Sequence, residues 1–276
     1  MEVFPPLIAR RGRSGFDLQG RIDEFVAGVK SIRDVADLFL VASIKDPSLI
    51  QLSPIHAASL LQEQAKVKAA PVVVVRDSNR TQFTSQVATA IALGLSNIMV
   101  AWGDRYPPEL GITNFRDYVS LSEAIQEARV ISRGAPVKTR ILAPVDLSRM
   151  KRVEGIELAR SRLRAGAELL LAQPPTTDSE ETFDGHLEAI SEVGLRRRVL
   201  LSVFPFRGAK DVVECEKKFG WNLRRKLHTT AARGEKALLE ESRSVAARTR
   251  KERLSGVYVS TRGRPEVARL ILSRAP

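Results

Sequence analysis

Short runs of hydrophobic residues alternate along the chain with longer segments in which hydrophobic residues recur every three to four positions. The first pattern is typical of β-strands and the second of helices that bury one face. Several short runs, such as VVVV and VLLSVF, are apolar throughout, as expected for strands covered on both faces. We therefore predict eight parallel strands, at residues 2–5, 37–43, 71–76, 97–102, 138–143, 168–173, 198–206 and 256–261.

A helical segment follows each predicted strand. Glycines 94, 134, 166 and 194 provide stops at the ends of four of these segments. Eight strand–helix units in 276 residues predict an α/β protein with a (βα)8 TIM barrel fold. The alternative is an open doubly wound sheet, but no G-x-G-x-x-G motif follows the first strand. The predicted helices lie at 21–33, 54–67, 84–94, 118–133, 153–166, 179–193, 209–253 and 264–274.

The predicted barrel is a single domain over residues 1–276, with an extended seventh unit around 209–253. Hydrophobic residues make up 43% of the chain and charged residues 28%, a balance typical of a folded globular protein. The lone Cys215 has no partner for a disulfide, which favours a reducing compartment. Because no apolar run approaches the roughly 20 residues of a membrane span and no signal peptide is evident, we expect a cytoplasmic protein that does not insert in a membrane.

Basic residues exceed acidic ones, 44 against 32, and the excess is concentrated in the second half of the chain. These basic residues alternate with acidic ones on helical segments, and aromatic residues make up only 5% of the chain. We interpret most of the net charge of +12 as solvated surface. Nucleic-acid binding would rest on charge alone, and we do not expect it.

Polar residues follow the predicted strands, where a barrel places its functional groups. Glu2 stands in an otherwise apolar first strand, and an inward-facing carboxyl in a half-apolar cavity is a candidate general acid. Asp104 follows Gly103 after the fourth strand, and Gln173 closes the sixth. Each also has a structural interpretation: an edge-strand charge for Glu2, a turn cap for Asp104 and an internal polar network for Gln173.

Other polar residues carry weaker hypotheses. Asp77 and Arg80 form a loop ion pair or, as a second interpretation, bind phosphate. The three histidines fall on or beside helices and are predicted to lie at the surface: His56, His186 and His228. The chain has no P-loop, no G-x-S-x-G, no H-E-x-x-H and no cysteine pair, so hydrolase and metalloenzyme functions lose support.

Five sequence blocks together resemble the methylenetetrahydrofolate reductase family. They read EVFPP at residue 2, LGLSNIMVAWGDRYPP at 93, RLRAGAELLLAQP at 162, LLSVFPF at 200 and GVYVST at 256. These blocks occur in the family's order and at similar spacing over nearly the full length. The most specific is the second, in which a helix end leads through an apolar strand into Gly103 and Asp104.

The resemblance implies a flavin-dependent oxidoreductase of one-carbon metabolism and methionine biosynthesis. It would reduce a methylene-pterin or methylenetetrahydrofolate to the methyl form, with FAD as cofactor and NAD(P)H as reductant. Glu2 matches the glutamate that protonates the folate nitrogen, Asp104 the aspartate beside the flavin and pterin, and Gln173 the glutamine that contacts folate. Gly103 adjoins the flavin, and Arg162 matches a flavin-contacting lysine. Family members commonly form oligomers, so a homo-oligomer or a partner subunit is expected.

Two departures from the family pattern keep an alternative open. Val72 replaces a histidine in the third strand, and Trp102 replaces the small or basic residue before Gly103. The alternative is a non-catalytic or partner-dependent pterin-binding barrel subunit that has lost tight flavin binding. A yellow purified protein would favour the first function, and co-purification of a second subunit would favour the alternative.

Overall fold

The computed structural model describes most of the chain. The described residues are 1–10, 17–42, 49–76, 78–104, 115, 117–146, 153–173, 180–219, 223, 225–261 and 263–272. The strands in these ranges are β1 (Glu2–Val3), β2 (Leu7–Arg10), β3 (Phe39–Val41), β4 (Leu49–Gln51), β5 (Ala69–Val74), β6 (Asn97–Ala101), β7 (Arg140–Val145), β8 (Leu169–Ala172), β9 (Val199–Val203) and β10 (Gly256–Val259).

Helices alternate with these strands as the periodicity predicts. They are α1 (Leu18–Lys30), α2 (Pro54–Leu60), α3 (Arg80–Ala92), α4 (Leu121–Arg133), α5 (Val153–Arg164), α6 (Glu180–Glu192), α7 (Ala209–Phe219), α8 (Arg225–Ala231), α9 (Glu235–Lys251) and α10 (Pro265–Leu272). A π-helical turn (Leu61–Ala65) extends α2. No helix in the described ranges is both long and apolar enough to cross a membrane.

The chain divides into two compact units. The N-terminal unit comprises Glu2–Ala143 and Arg162–Glu168, and the C-terminal unit comprises Met1, Pro144–Ser161 and Leu169–Pro276. The prediction of one domain over 1–276 stays a prediction. The parallel strands follow the order β1-β3-β5-β6-β7-β8-β9-β10, so all eight predicted strands are confirmed, in sequence order.

Parallel pairing in the N-terminal unit is set by strands that are buried over most of their length. Glu2 pairs with Leu40 in register, and Val41 pairs with Pro71. Val72 of β5 pairs with Met99 of β6. All three residues of β3 are buried, and so are the first four of β6. Continuous burial of this kind is expected where helices cover both faces of a parallel sheet.

Polar side chains fix where the helices of the N-terminal unit begin. Asn79 caps α3 by accepting a hydrogen bond from the Gln82 backbone N–H at 2.8 Å. Ser120 caps α4 in the same way, from the Glu123 N–H at 3.1 Å. A side-chain cap of this type stabilises a helix by about 1 kcal/mol because it satisfies a backbone donor that the helix leaves open. The caps place both helix starts beyond the carboxyl ends of the strands that precede them.

An antiparallel ribbon in the N-terminal unit was not predicted. β2 follows β1 and pairs with β4, which follows β3, with Leu7 opposite Gln51 and Ala9 opposite Ile50. Both strands therefore extend from the carboxyl ends of parallel strands. Leu7 and Ile50 are exposed, which explains why the ribbon lacks the buried pattern that predicts a strand.

The C-terminal unit contains the long seventh strand–helix unit. The helical segment predicted at 209–253 consists of three helices, α7, α8 and α9. Seven buried residues form a small core of their own, with Phe204 packed against it: Phe206, Val212, Cys215, Leu223, Leu227, Ala231 and Leu238. Cys215 is buried within this core, as a small hydrophobic residue commonly is.

Candidate functional site

Trp102, Gly103 and Asp104 follow the carboxyl end of β6, and we call this segment the β6 turn. Gly103 has a φ of +79°, a conformation that favours glycine. A Cβ atom at Gly103 would lie 2.2 Å from Cγ1 of Val74, so the backbone passes directly against the neighbouring strand. Asp104 is exposed at the end of this turn. The predicted pair of Gly103 and Asp104 thus lies where a barrel places its functional groups.

Arg76 holds this turn from the end of β5, and sequence reasoning did not select it. Its backbone N–H donates to the Trp102 carbonyl at 3.0 Å, and its side-chain Nε donates to the Gly103 carbonyl at 3.2 Å. Arg76 is the first of several polar residues at the end of the third predicted strand, and nothing in the pattern separates it from its neighbours. The contact joins residues 27 positions apart, which a local pattern cannot show.

Glu2 begins β1 in the same compact unit as Asp104. Since paired residues of neighbouring parallel strands point to the same sheet face, Glu2 shares a face with Leu40 and Ala70, both buried. Glu2 itself is half-buried. The role of Glu2 as a general acid stays a prediction. Two strands, β3 and β5, lie between β1 and β6 in the sheet.

Arg80 belongs to a cluster that joins α3 to α4. Its guanidinium contacts Glu123, lies 3.7 Å from Oε2 of Glu127, and has its carbon 4.6 Å from the ring centre of Tyr118. The Arg80 backbone N–H donates to Asp117 at 2.9 Å. This arrangement is a structural ion-pair cluster, so the described contacts of Arg80 do not support a phosphate ligand. Its predicted partner Asp77 lies outside the described residues.

The same cluster shifts the pKa of its members. Hydrogen bonding to Arg80 lowers the pKa of Glu123, and the reciprocal bond raises the pKa of Arg80. Burial raises the pKa of Tyr118 well above its usual range, and its hydroxyl donates to Glu127 at 2.6 Å. These shifts stabilise the charged pair and the neutral phenol, which fits a cluster that fixes the start of α4.

Gln173 follows β8 in the C-terminal unit. Its backbone N–H donates to the Val145 carbonyl at 2.9 Å, which continues the strand ladder by one residue. The side chain is exposed, so the expectation of a buried amide that needs an internal network is wrong. Exposure at the carboxyl end of a strand leaves Gln173 available to a ligand, and its role in folate contact stays a prediction.

Arg162 lies away from the Gly103–Asp104 turn. It occupies the last turn of α5, and its carbonyl accepts from the Ala167 N–H at 3.0 Å. One residue later, Glu168 donates its N–H to the Ile141 carbonyl at 2.7 Å, and Ile141 is the second residue of β7. Arg162 is therefore near the amino end of β7, whereas the turn follows the carboxyl end of β6. Its side chain is buried, as a solvent-facing arginine would not be.

The histidines differ in their surroundings. His56 is exposed, as predicted, but His186 is only 4% exposed and the surface prediction is wrong for it. His228 is half-buried, with Nε2 3.0 Å from Glu216 Oε1. Among the described residues, no group of three or more His, Cys, Asp or Glu side chains is placed to hold a metal ion.

Comparison with known proteins identifies the fold. No protein family matches the sequence, and no curated protein matches it. An uncharacterized protein from Clostridium thermocellum that binds two copies of 5-methyl-5,6,7,8-tetrahydrofolic acid is similar in structure, with a TM-score of 0.60 at 11% identity, over 98% of this chain and 92% of that one. QR15, an aldolase, has a TM-score of 0.44 at 13% identity, over 81% and 86% of the two chains. The first likeness shows a TIM-barrel-like fold of parallel strands alternating with helices.

Proposed function

We propose that this protein binds a reduced pterin, of the tetrahydrofolate type, at the carboxyl end of β6. The observation that carries the location is the turn of Trp102, Gly103 and Asp104, since ligands of TIM-barrel proteins bind at the carboxyl ends of the strands. The structural neighbour that binds a methyl-tetrahydrofolate supports the choice of ligand. The order of the sequence blocks that resemble methylenetetrahydrofolate reductases supports the same choice independently.

Asp104 suits recognition of a pterin ring. A pterin presents an amino group and adjacent ring N–H groups along one edge, and an exposed carboxylate accepts hydrogen bonds from both. The start of Asp104 is held because the Gly103 carbonyl accepts a hydrogen bond from Nε of Arg76 at 3.2 Å. We therefore assign Asp104 to ligand binding.

We propose that the reaction is the reduction of the methylene form of this ligand to the methyl form. Glu2 donates a proton to the ring nitrogen on the aminobenzoyl side, and the bond from that nitrogen to the methylene carbon breaks. The carbon stays bonded to the pterin nitrogen as an iminium, which accepts a hydride to give the methyl group. A general acid for this step holds its proton close to the ligand, and Glu2 is half-buried on a sheet face that it shares with the buried Leu40 and Ala70. The proton on Glu2 is thus the contribution of the protein to ring opening.

FAD is the proposed cofactor, with NAD(P)H as the proposed reductant. FAD, when bound, supplies the hydride. Gly103 and Asp104 fit this assignment in position, because they lie together at the carboxyl end of β6. Arg162 does not fit, because its contacts place it by the amino end of β7. Gly103 and Asp104 are the residues that would hold the flavin, and Arg162 is left out of this set.

The position of Arg162 favours a second candidate function. Without a third flavin contact beside Gly103 and Asp104, the protein would bind the pterin and leave hydride transfer to a partner. That function is a pterin-binding subunit rather than a complete reductase. The absorption spectrum of the purified protein distinguishes the two: a flavin band supports the reductase, and a colourless protein that cannot be reconstituted with FAD supports the subunit.

Calorimetric titration with 5-methyltetrahydrofolate tests binding. We expect saturable binding, and Asp104→Asn should weaken it by roughly 30-fold, since a charge-assisted hydrogen bond contributes about 2 kcal/mol. Asp37→Asn is the matched control, because Asp37 is an exposed aspartate before the amino end of β3. No heat of binding with the unmodified protein would defeat the proposal, and equal weakening by both variants would defeat the assignment of Asp104.

The Glu2→Gln variant tests the reaction. It should abolish methylene-pterin reduction, since glutamine has no proton to donate, and leave reduction of added flavin by NAD(P)H nearly intact. Glu24→Gln, on the exposed side of α1, is the control that keeps both half-reactions. Loss of both half-reactions in Glu2→Gln would show that Glu2 is structural rather than an acid.

A further inference from the structure

We propose that Arg76 is a positioning residue for the site, and that the hydrogen bond from its Nε atom to the Gly103 carbonyl carries this role. It fixes the carbonyl of Gly103, and so the point from which Asp104 extends. The effect on ligand affinity rests on the proposed pterin binding. The effect of Arg76 on the conformation of the turn does not depend on pterin binding, and a measurement without ligand tests it separately.

Three successive carbonyls at the end of β6 are held from β5. The Val75 backbone N–H donates to the Ala101 carbonyl at 2.9 Å, and the Arg76 backbone N–H donates to the Trp102 carbonyl at 3.0 Å. The third carbonyl, that of Gly103, lies beyond the end of both strands. Arg76 reaches it with its side chain, at 3.2 Å from Nε. The Arg76 side chain therefore adds one more hydrogen bond to the pair after the backbone ladder ends.

Sterics alone do not fix this turn. A Cβ atom at Gly103 would lie 2.2 Å from Cγ1 of Val74, so this position excludes any side chain. Glycine itself has no Cβ, and its backbone dihedral angles stay free unless another contact holds them. The left-handed φ of +79° at Gly103 is one of several conformations open to glycine. The hydrogen bond to its carbonyl selects among them. Asp104 is exposed and follows directly, so its position depends on this selection.

The hydrogen-bonding atom suggests a pair of nearly isosteric variants. Nε of arginine is the fourth atom of the side chain, counted from Cβ. In Arg76→Gln the amide nitrogen occupies that position and retains an N–H donor without the charge. In Arg76→Met a methyl group occupies it and has no donor. The two variants therefore differ mainly in the hydrogen bond to Gly103.

Fluorescence of Trp102 tests the turn without any ligand. The chain has two tryptophans, so the variants are made with Trp221→Phe to leave Trp102 as the only one. We expect Arg76→Met to raise acrylamide quenching of Trp102, roughly twofold, and Arg76→Gln to restore most of the protection. Arg133→Met, an exposed arginine at the end of α4, is the control. Quenching unchanged in Arg76→Met, or raised equally in Arg76→Gln, would overturn the inference.

Titration with 5-methyltetrahydrofolate then tests the effect on the site. Loss of one hydrogen bond of typical strength predicts about fivefold weaker binding for Arg76→Met, and Arg76→Gln should recover most of this loss. In a protein that already carries Asp104→Asn, the Arg76→Met change should weaken pterin binding little further, because both substitutions act on the contact between Asp104 and the pterin. A lower melting temperature with unchanged affinity would make Arg76 merely structural and overturn the proposal. If the unmodified protein does not bind the pterin, the proposed function fails, and the quenching result still decides whether Arg76 fixes the turn.

Discussion

Replacing Gly103 by alanine tests the structure of the candidate site. The backbone there has a φ of +79°, which costs alanine about 1 kcal/mol. The new Cβ would lie 2.2 Å from Cγ1 of Val74, and relieving such a clash costs about 2 kcal/mol more. We expect Gly103→Ala to lower the free energy of unfolding by about 3 kcal/mol, or to move the turn and weaken ligand binding instead.

The Gly94→Ala variant separates the cost of the left-handed backbone conformation from the cost of the clash with Val74. Gly94 has a similar φ of +71°, lies in the same unit, and would place its Cβ 3.8 Å from the Gln62 side chain, an ordinary van der Waals distance. It should therefore lose only the backbone part, about 1 kcal/mol. The double variant Gly103→Ala with Val74→Ala removes the clashing methyl groups, so its cost should be smaller than the sum of the two single costs.

Urea unfolding followed by circular dichroism measures these differences. The midpoint, at an unchanged slope, reports the change in stability. Equal destabilisation by Gly103→Ala and Gly94→Ala, with an unaltered affinity for the pterin, would refute the conclusion that the backbone at Gly103 packs too closely against β5 to accept a side chain. Strict additivity of the Gly103 and Val74 substitutions would refute the assignment of the clash to Val74.

Three further outcomes are expected. Glu123→Gln should reduce the loss of stability that the protein shows as the pH falls. The lowered pKa of Glu123 means that its carboxylate stabilises the fold above the unfolded pKa of about 4.5, and this contribution is lost at lower pH because protonation breaks the pairing with Arg80. Melting temperatures from pH 6 to pH 3 measure this difference, and parallel curves for the two proteins would contradict it. Arg162→Met should leave pterin affinity within about twofold of normal, since Arg162 lies by the amino end of β7; a tenfold loss in the same titration would place it in the site. Glu216→Ala should lower the free energy of unfolding by about 1 kcal/mol, because it removes the acceptor that lies 2.9 Å from the Leu223 N–H. An unchanged urea midpoint would show that water replaces this acceptor.

The strand order was predictable because the parallel strands are short, apolar runs separated by amphipathic helices. The pattern in β5 and β6 reflects burial on both faces, and burial is a property of each strand that its own sequence records. The β2–β4 ribbon was missed because its strands are three and four residues long and two of their apolar residues, Leu7 and Ile50, are exposed. The ribbon forms only when the segment after β1 meets the segment after β3, and neither segment's own sequence shows this pairing.

Helix boundaries were predicted less well than helix positions. The segment predicted at 54–67 ends as α2 and a π-helical turn, after which Lys66 adopts a left-handed conformation with a φ of 56°. A local pattern of apolar residues does not distinguish an α-helical turn from a π-helical one, because the two differ by a single residue in the spacing of their backbone hydrogen bonds. The segment from 209 to 253 is divided into three helices that pack around the small core between Phe206 and Leu238. Because this core joins residues far apart in sequence, a local pattern does not show where the helices break.

Only part of the candidate site was predictable from the sequence. Gly103 and Asp104 were found because a glycine and a carboxylate directly follow a buried strand. Arg76 was missed because its importance comes from a contact with Gly103 that only the folded chain creates. Burial of His186 and exposure of Gln173 were likewise set by packing between elements, and a residue type alone does not report that.

The central claim is that a reduced pterin lies against the turn of Trp102, Gly103 and Asp104. A crystal structure of the protein with 5-methyltetrahydrofolate tests this most directly. We predict electron density for the pterin ring at the carboxyl end of β6, with its amino edge within hydrogen-bond distance of the Asp104 carboxylate. A pterin bound at the amino ends of the strands, or well-ordered crystals grown at saturating ligand that show no pterin, would contradict the account.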